Sequence, residues 1–151
     1  MWCPATFISG AQTGADRAGL DAGKRLGVFT GGTVPKGRRT EDGTLSDEDM
    51  ERYALTESDS ASYSDRTYAN VRNSEGTVIF GRTSSPGSRL TISACRHFRR
   101  PYIENPSAEQ LREWAAENEI ETLNVAGNRE SGNPGIYQRT LDTLIEAFRA
   151  R

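Results

Sequence analysis

Short apolar runs alternate with longer amphipathic stretches along this chain, and glycine-rich turns separate most of them. Phe7 and Ile8 make the first apolar run. Ser9, Gly10, Ala11, Gln12, Thr13 and Gly14 turn the chain, and Ala18, Leu20, Ala22 and Leu26 then recur at helical spacing until Gly27 closes the pattern. A short second strand is predicted over 28–34, broken by Gly31 and Gly32. Residues 35–43 fit neither period, and 44–62 read as loop with at most a helical turn near 47–52. The helical period resumes from Ser64 through Tyr68, Val71 and Arg72, ending before Gly76. The β-branched run 77–81 predicts a buried strand. A second glycine turn, 82–88, opens a helix carrying Leu90, Ile92, Ala94, Cys95 and Phe98. Residues 101–104 read as a brief strand. Ser107 with Gln110 three positions on forms a capping box for a helix bearing Leu111, Trp114 and Ala115. The last strand is 121–126. A polar turn follows at 127–135, and the final helix starts near Ile136 and carries Leu141, Leu144, Ile145 and Phe148.

Strands alternating with helices predict an α/β fold: a Rossmann-like, mostly parallel sheet with helices on both faces. Five or six strands are expected, in an order close to 3-2-1-4-5, within a single domain spanning 1–151. Ligands of such sheets bind outside the strand carboxyl ends. Three loops, 10–14, 82–88 and 127–132, leave strand carboxyl ends and are expected to converge on one crevice.

Composition narrows the partners. The 151 residues suit one core, and 19 Lys+Arg against 21 Asp+Glu give a net charge of −2. With a sequence pI near 5.5, bulk attraction to nucleic acid or an anionic membrane is not expected. A mean hydropathy of −0.69 and the absence of a long apolar run point to a soluble, cytoplasmic protein. The core is lean, so a homo-oligomer, dimer or tetramer, is expected. Cys3 and Cys95 are too few for a disulfide framework or a zinc site, and no metal site is expected.

The first turn places Gly10, Ala11, Gln12, Thr13 and Gly14 at a helix start, where free backbone N–H groups and a positive dipole end favour an anion. Its spacing is neither a dinucleotide fingerprint nor a P-loop, and an ordinary unliganded βα turn has the same signals. Lys36, Gly37, Arg38 and Arg39 follow a strand and are candidates to swing over that anion, or they form a solvated basic turn. Ser84, Ser85, Gly87, Ser88 and Arg89 offer hydroxyls and N–H groups at the second turn, where Ser85 and Ser88 serve equally as simple caps. Gly127, Asn128, Arg129 and Ser131 make a third polar cluster. Thr67 and Asn70 lie one helical turn apart and share a face. His97, the only histidine, falls at a helix end where a cation complements the dipole. Glu41, Asp42 and Glu57 are the loop carboxylates available for acid–base chemistry or magnesium, and their spacing specifies neither.

The run from Ile8 to Asp21, with residues 35–43, 55–57, the Asp65-Arg66-Thr67 and Asn70-Val71 pairs, 87–91, 124–127 and 134–137, resembles the molybdenum carrier family over nearly the whole chain. That family is similar to lysine-decarboxylase-like phosphoribohydrolases and to DNA-processing-protein domains. The resemblance implies a non-enzymatic carrier that holds molybdenum cofactor (molybdopterin) as cargo, or a related anionic, phosphate-bearing pterin or nucleotide. Molybdoenzymes and cofactor-synthesis proteins are the implied partners, and no catalytic residue is implied. The alternative is a nucleotide- or phosphoribosyl-processing hydrolase. The phosphoribohydrolase relatives carry a catalytic Glu in the second glycine loop, and Thr91 stands where that Glu would align.

Overall fold

The computed structural model describes residues 2–150. The elements run in order β1 (Thr6–Ile8), α1 (Ala15–Leu26), β2 (Phe29–Val34), β3 (Arg39–Thr40), β4 (Gly43–Thr44), α2 (Asp47–Arg52) and β5 (Leu55–Glu57). Then follow α3 (Tyr63–Arg72), β6 (Gly76–Phe80), α4 (Pro86–Phe98), β7 (Tyr102–Glu104), α5 (Ala108–Glu117), β8 (Thr122–Gly127) and α6 (Ile136–Phe148). Six strands form one sheet in the order β5-β2-β1-β8-β6-β7, every pair parallel, and β3-β4 is a separate antiparallel hairpin. The fold is Rossmann-like α/β, as the strand–helix alternation predicts.

Local chemistry sets the helix limits. Gly27 ends α1 in the left-handed conformation, Ser85 caps α4 through the N–H of Ser88, and Ser107 with Gln110 completes the capping box on α5. Phe7, Val78, Leu123 and Val125 of the sheet, with Ala18, Leu111, Leu141, Leu144 and Phe148 of α1, α5 and α6, form the main core on one face. Val71, Ala94 and Cys95 pack α3 on α4 over the other face.

Two predictions about the sheet are corrected. The last strand in the chain, β8, is inserted between β1 and β6, so the order of the sheet strands is 3-2-1-6-4-5. The predicted 28–62 region also differs. Gly31 and Gly32 do not break β2; Gly31 pairs with Ile8 and Gly32 with Leu55 of the unpredicted strand β5. Gly32 has φ +134°, and a Cβ there would stand 1.9 Å from the Ser9 carbonyl oxygen, so glycine permits the close approach of β2 to the turn after β1.

Candidate functional site

The loops after β1, β6 and β8 meet at the carboxyl edge of the sheet around a cavity of about 520 Å³. That is the size of a small-molecule site. Helix α3 closes one side and the start of α4 another.

The first wall is a tightly bonded turn. The Ser9 hydroxyl donates to the Asp16 carbonyl at 2.8 Å and accepts the Ala11 N–H at 3.1 Å, while Ala11 sits at φ +62°. Arg17 donates to the Ala11 carbonyl from Nε at 3.2 Å and Nη2 at 2.8 Å. The N–H groups expected to hold an anion here are mostly engaged within the protein. Asp16 accepts the Gln12 N–H, Gln12 Oε1 accepts the Thr13 N–H at 3.1 Å, and the Ala15 N–H donates to the Asn128 carbonyl at 3.2 Å.

Helix α3 brings a cation to this turn instead. Asn70 bonds both the N–H and the carbonyl of Thr33, at 2.8 and 3.0 Å, like an additional strand partner, and so fixes α3 on β2. One turn earlier on the same helix, Arg66 lies across Gly10, with Nη1 3.2 Å from Asp16 Oδ2. The pair is largely dry, with side-chain exposures of 13% for Arg66 and 8% for Asp16. Burial pushes the Asp16 carboxyl above the ordinary aspartate range; the Arg66 charge and hydrogen bond, the Gln12 N–H and the Arg17 charge oppose that rise. Arg66 Nε is buried with no hydrogen-bond partner among the described residues.

Asn128 joins the other two loops. Its Oδ1 accepts the Arg82 N–H at 2.7 Å, and its Nδ2 donates to the Arg82 carbonyl at 3.1 Å and to Ser85 Oγ at 3.2 Å. Arg82 Nη2 in turn donates to the Gly132 carbonyl at 2.7 Å. Asn124 of β8 lies on the cavity wall, donating to Thr77 Oγ1 at 3.2 Å. Gly87, in the first turn of α4, also lies on the wall, and a Cβ built on it meets nothing within 4 Å.

Among the residues singled out from the sequence, the structure gathers Gly10, Gln12, Thr67, Asn70, Ser85, Gly87, Gly127, Asn128, Arg129 and Ser131 on the wall. Ala11, Thr13 and Gly14 belong to the same turn and do not line the cavity. Ser84 is exposed, Ser88 is buried under α4, and Arg89 lines a separate shallow groove with Ile92, Ser93 and Arg96. The basic turn goes elsewhere. The Gly37 N–H donates to Glu57 at 3.0 Å, and Arg38 pairs with Glu57 at 2.8 Å and Asp47 at 2.5 Å. Lys36 and Arg39 are exposed and off the cavity.

The wall also holds residues that the sequence reading passed over: Asp16, Tyr63, Arg66, Arg82, Thr91 and Asn124 among them. For Tyr63 and Arg66 the signal was helical spacing. Tyr63, Arg66, Thr67 and Asn70 follow the i, i+3, i+4, i+7 spacing of one helix face. Arg66 and Arg129 approach the Tyr63 ring at 5.4 and 5.8 Å from its centroid. Among the described residues no group of His, Cys, Asp and Glu is arranged to hold a metal ion, and no helix is long and apolar enough to cross a membrane.

An all-parallel Rossmann-like sheet with an arginine-lined crevice at its strand ends thus sets the class of protein. The chain belongs to the circularly permutated YpsA SLOG family, whose sequence pattern matches residues 7–148. It is similar to a crystal structure described as "Putative molybdenum carrier protein" from Syntrophus aciditrophicus SB, at 36% identity, TM-score 0.85, covering 97% of this chain and 96% of that one. (E)-4-Hydroxy-3-methyl-but-2-enyl diphosphate reductase aligns at 11% identity and TM-score 0.43 over 96% of this chain and 60% of that one, a likeness that carries no argument. No curated protein matches the chain.

Proposed function

We propose that this protein is a carrier that holds a small anionic, phosphate-bearing ligand in the strand-end cavity: molybdenum cofactor, or a related pterin or nucleotide. The observation that carries the proposal is the charge of the wall. Arg66, Arg82 and Arg129 face one cavity in a chain of net charge −2, and the described carboxylate on that wall, Asp16, is already paired with Arg66. Guanidinium groups suit the planar, bidentate recognition of phosphate. The open first turn of α4 adds a positive dipole end beside them. The name of the Syntrophus relative supports molybdenum-related cargo. The hydrolase alternative gains little from Thr91, whose hydroxyl donates to the Gly87 carbonyl at 3.1 Å within α4.

The test is the cargo itself. Protein purified from molybdate-fed cells is expected to retain molybdenum by elemental analysis and a fluorescent pterin after oxidation. Absence of molybdenum, pterin and nucleotide would refute the carrier reading, and release of base from nucleoside monophosphates would favour the hydrolase. Arg82→Ala and Arg129→Ala are each expected to weaken binding by roughly 1.5–3 kcal/mol, the scale of a charge-assisted hydrogen bond. Arg38→Ala should leave affinity unchanged because that side chain serves Asp47 and Glu57. Titration calorimetry at two salt concentrations checks both, with weaker binding expected at the higher one.

A further inference from the structure

The β3–β4 hairpin carries a carboxylate to the rim of the cavity. Glu41, at its tip, accepts the Thr13 hydroxyl and the Ser131 N–H, the latter at 3.2 Å, on one oxygen, and the Ser131 hydroxyl on the other. Its own N–H donates to Gln12 Oε1 at 2.8 Å, and the Thr13 hydroxyl oxygen accepts the Glu130 N–H at 3.3 Å. Arg129 adds its charge to the hydroxyls in holding the Glu41 carboxyl below the usual range. The neighbouring carboxylate, Glu130, is turned to the Gly135 and Tyr137 N–H groups at 2.7 and 3.0 Å, so it does not occupy this position. Two hydroxyls, one backbone N–H and a nearby guanidinium converging on one pair of oxygens make an anion seat, and the protein fills it with its own anion.

The hairpin is built to leave. Its base is fixed by the Leu45 N–H bond to the Arg38 carbonyl at 2.9 Å, by the buried Leu45 side chain, and by the Arg38 ion pairs. Glu41, Asp42, Gly43 and Thr44 are all exposed, and Glu41 with Gln12 supplies the bonds that tie the tip to the cavity loops. Releasing the tip exchanges a few bonds with water and uncovers no core.

We propose that the Thr13–Ser131 seat is a second anion subsite, filled by Glu41 in the free protein, and that a phosphate group displaces Glu41 and swings the hairpin away from the rim. The inference rests on the carrier reading and adds where one anionic end of the ligand docks and what it must displace. It also makes the hairpin a self-inhibitory strap, because ligand and Glu41 compete for the same donors.

Calorimetry with inorganic phosphate as the probe tests this on the full chain. Glu41→Ala is expected to bind phosphate about tenfold more tightly than the parent, because the competing carboxylate is gone. Glu41→Gln should fall between them. Adding Ser131→Ala to Glu41→Ala should shrink the gain by removing one hydroxyl donor of the seat, the Ser131 N–H and the Thr13 hydroxyl remaining. Amide exchange at 39–44 should quicken when phosphate is added to the parent protein. Equal or weaker phosphate binding by Glu41→Ala, slower exchange at 39–44, or no phosphate binding by either protein overturns the seat. If pterin or nucleotide still copurifies in that event, the carrier reading stands without it; if none does, both fall.

Discussion

Arg66→Met is expected to lower the unfolding free energy by about 3–5 kcal/mol, the cost of stranding one partner of a dry ion pair. Asp16 is 6% exposed at the start of α1, and among the described residues Arg66 is the one cation bonded to its carboxylate. Methionine keeps much of the packing volume over Gly10 and removes the charge. The loss should depend on pH, and the sign follows from the raised Asp16 pKa. A carboxyl whose folded pKa lies above its unfolded value holds its proton longer in the native state, so stability falls as pH rises between the two values. Removing Arg66 raises the folded pKa further and widens that window. The deficit should therefore be larger at pH 8 than at pH 5 in urea unfolding, and equal deficits would overturn the account. Adding Asp16→Asn should recover much of the loss, since no buried charge is then left unpaired. Ligand affinity should stay reduced in the double variant, which separates the cavity role of Arg66 from its structural one.

How much of this was legible in the chain depends on how far away each residue's partner lies. Ser85, Gly27 and the Ser107–Gln110 box act within one helical turn, and all three behave as their local sequence predicts. Loops 10–14, 82–88 and 127–132 meet at one cavity because every strand in the sheet runs the same way, a consequence of strand–helix alternation. Strand β5 leaves no pattern in the chain because Leu55, Thr56 and Glu57 are too few to show a period and are held by Gly32, Thr33 and Val34 across the sheet edge. Arg38 looks available in sequence, and its fate is decided by Glu57 on β5 and Asp47 on α2, neither of which announces itself beforehand. Arg66 reads as an ordinary helical surface residue until α3 is seen fixed on β2 by Asn70. Asn124 carried the clearest unused signal, a polar residue between the apolar Leu123 and Val125 in the middle of a strand.

Gly14→Val is expected to cost about 3–5 kcal/mol, adding the strain of a β-branched residue at positive φ to overpacking against backbone. Gly14 caps α1 at φ +79°, and a Cβ there would lie 2.3 Å from the Asn128 carbonyl oxygen and 2.7 Å from the Glu130 nitrogen. These are main-chain atoms of the third loop, so relief requires moving the loop that carries Arg129 and Ser131. A side chain at Gly14 thus meets backbone and not ligand space, and the glycine that borders the open cavity is Gly87. Gly87 has ordinary helical surroundings, lies on the cavity wall, and leaves an added Cβ without a neighbour within 4 Å. Gly87→Ala should accordingly hold or raise stability, by up to about 1 kcal/mol through the unfolded chain, while narrowing the cavity beside the α4 N-terminus. Thermal melts and phosphate calorimetry on the two variants should thus separate: the first loses fold and binding together, the second keeps its melting temperature and loses affinity. A destabilised Gly87→Ala protein, or a Gly14→Val protein that melts like the parent, would show that the two glycines have been assigned the wrong roles.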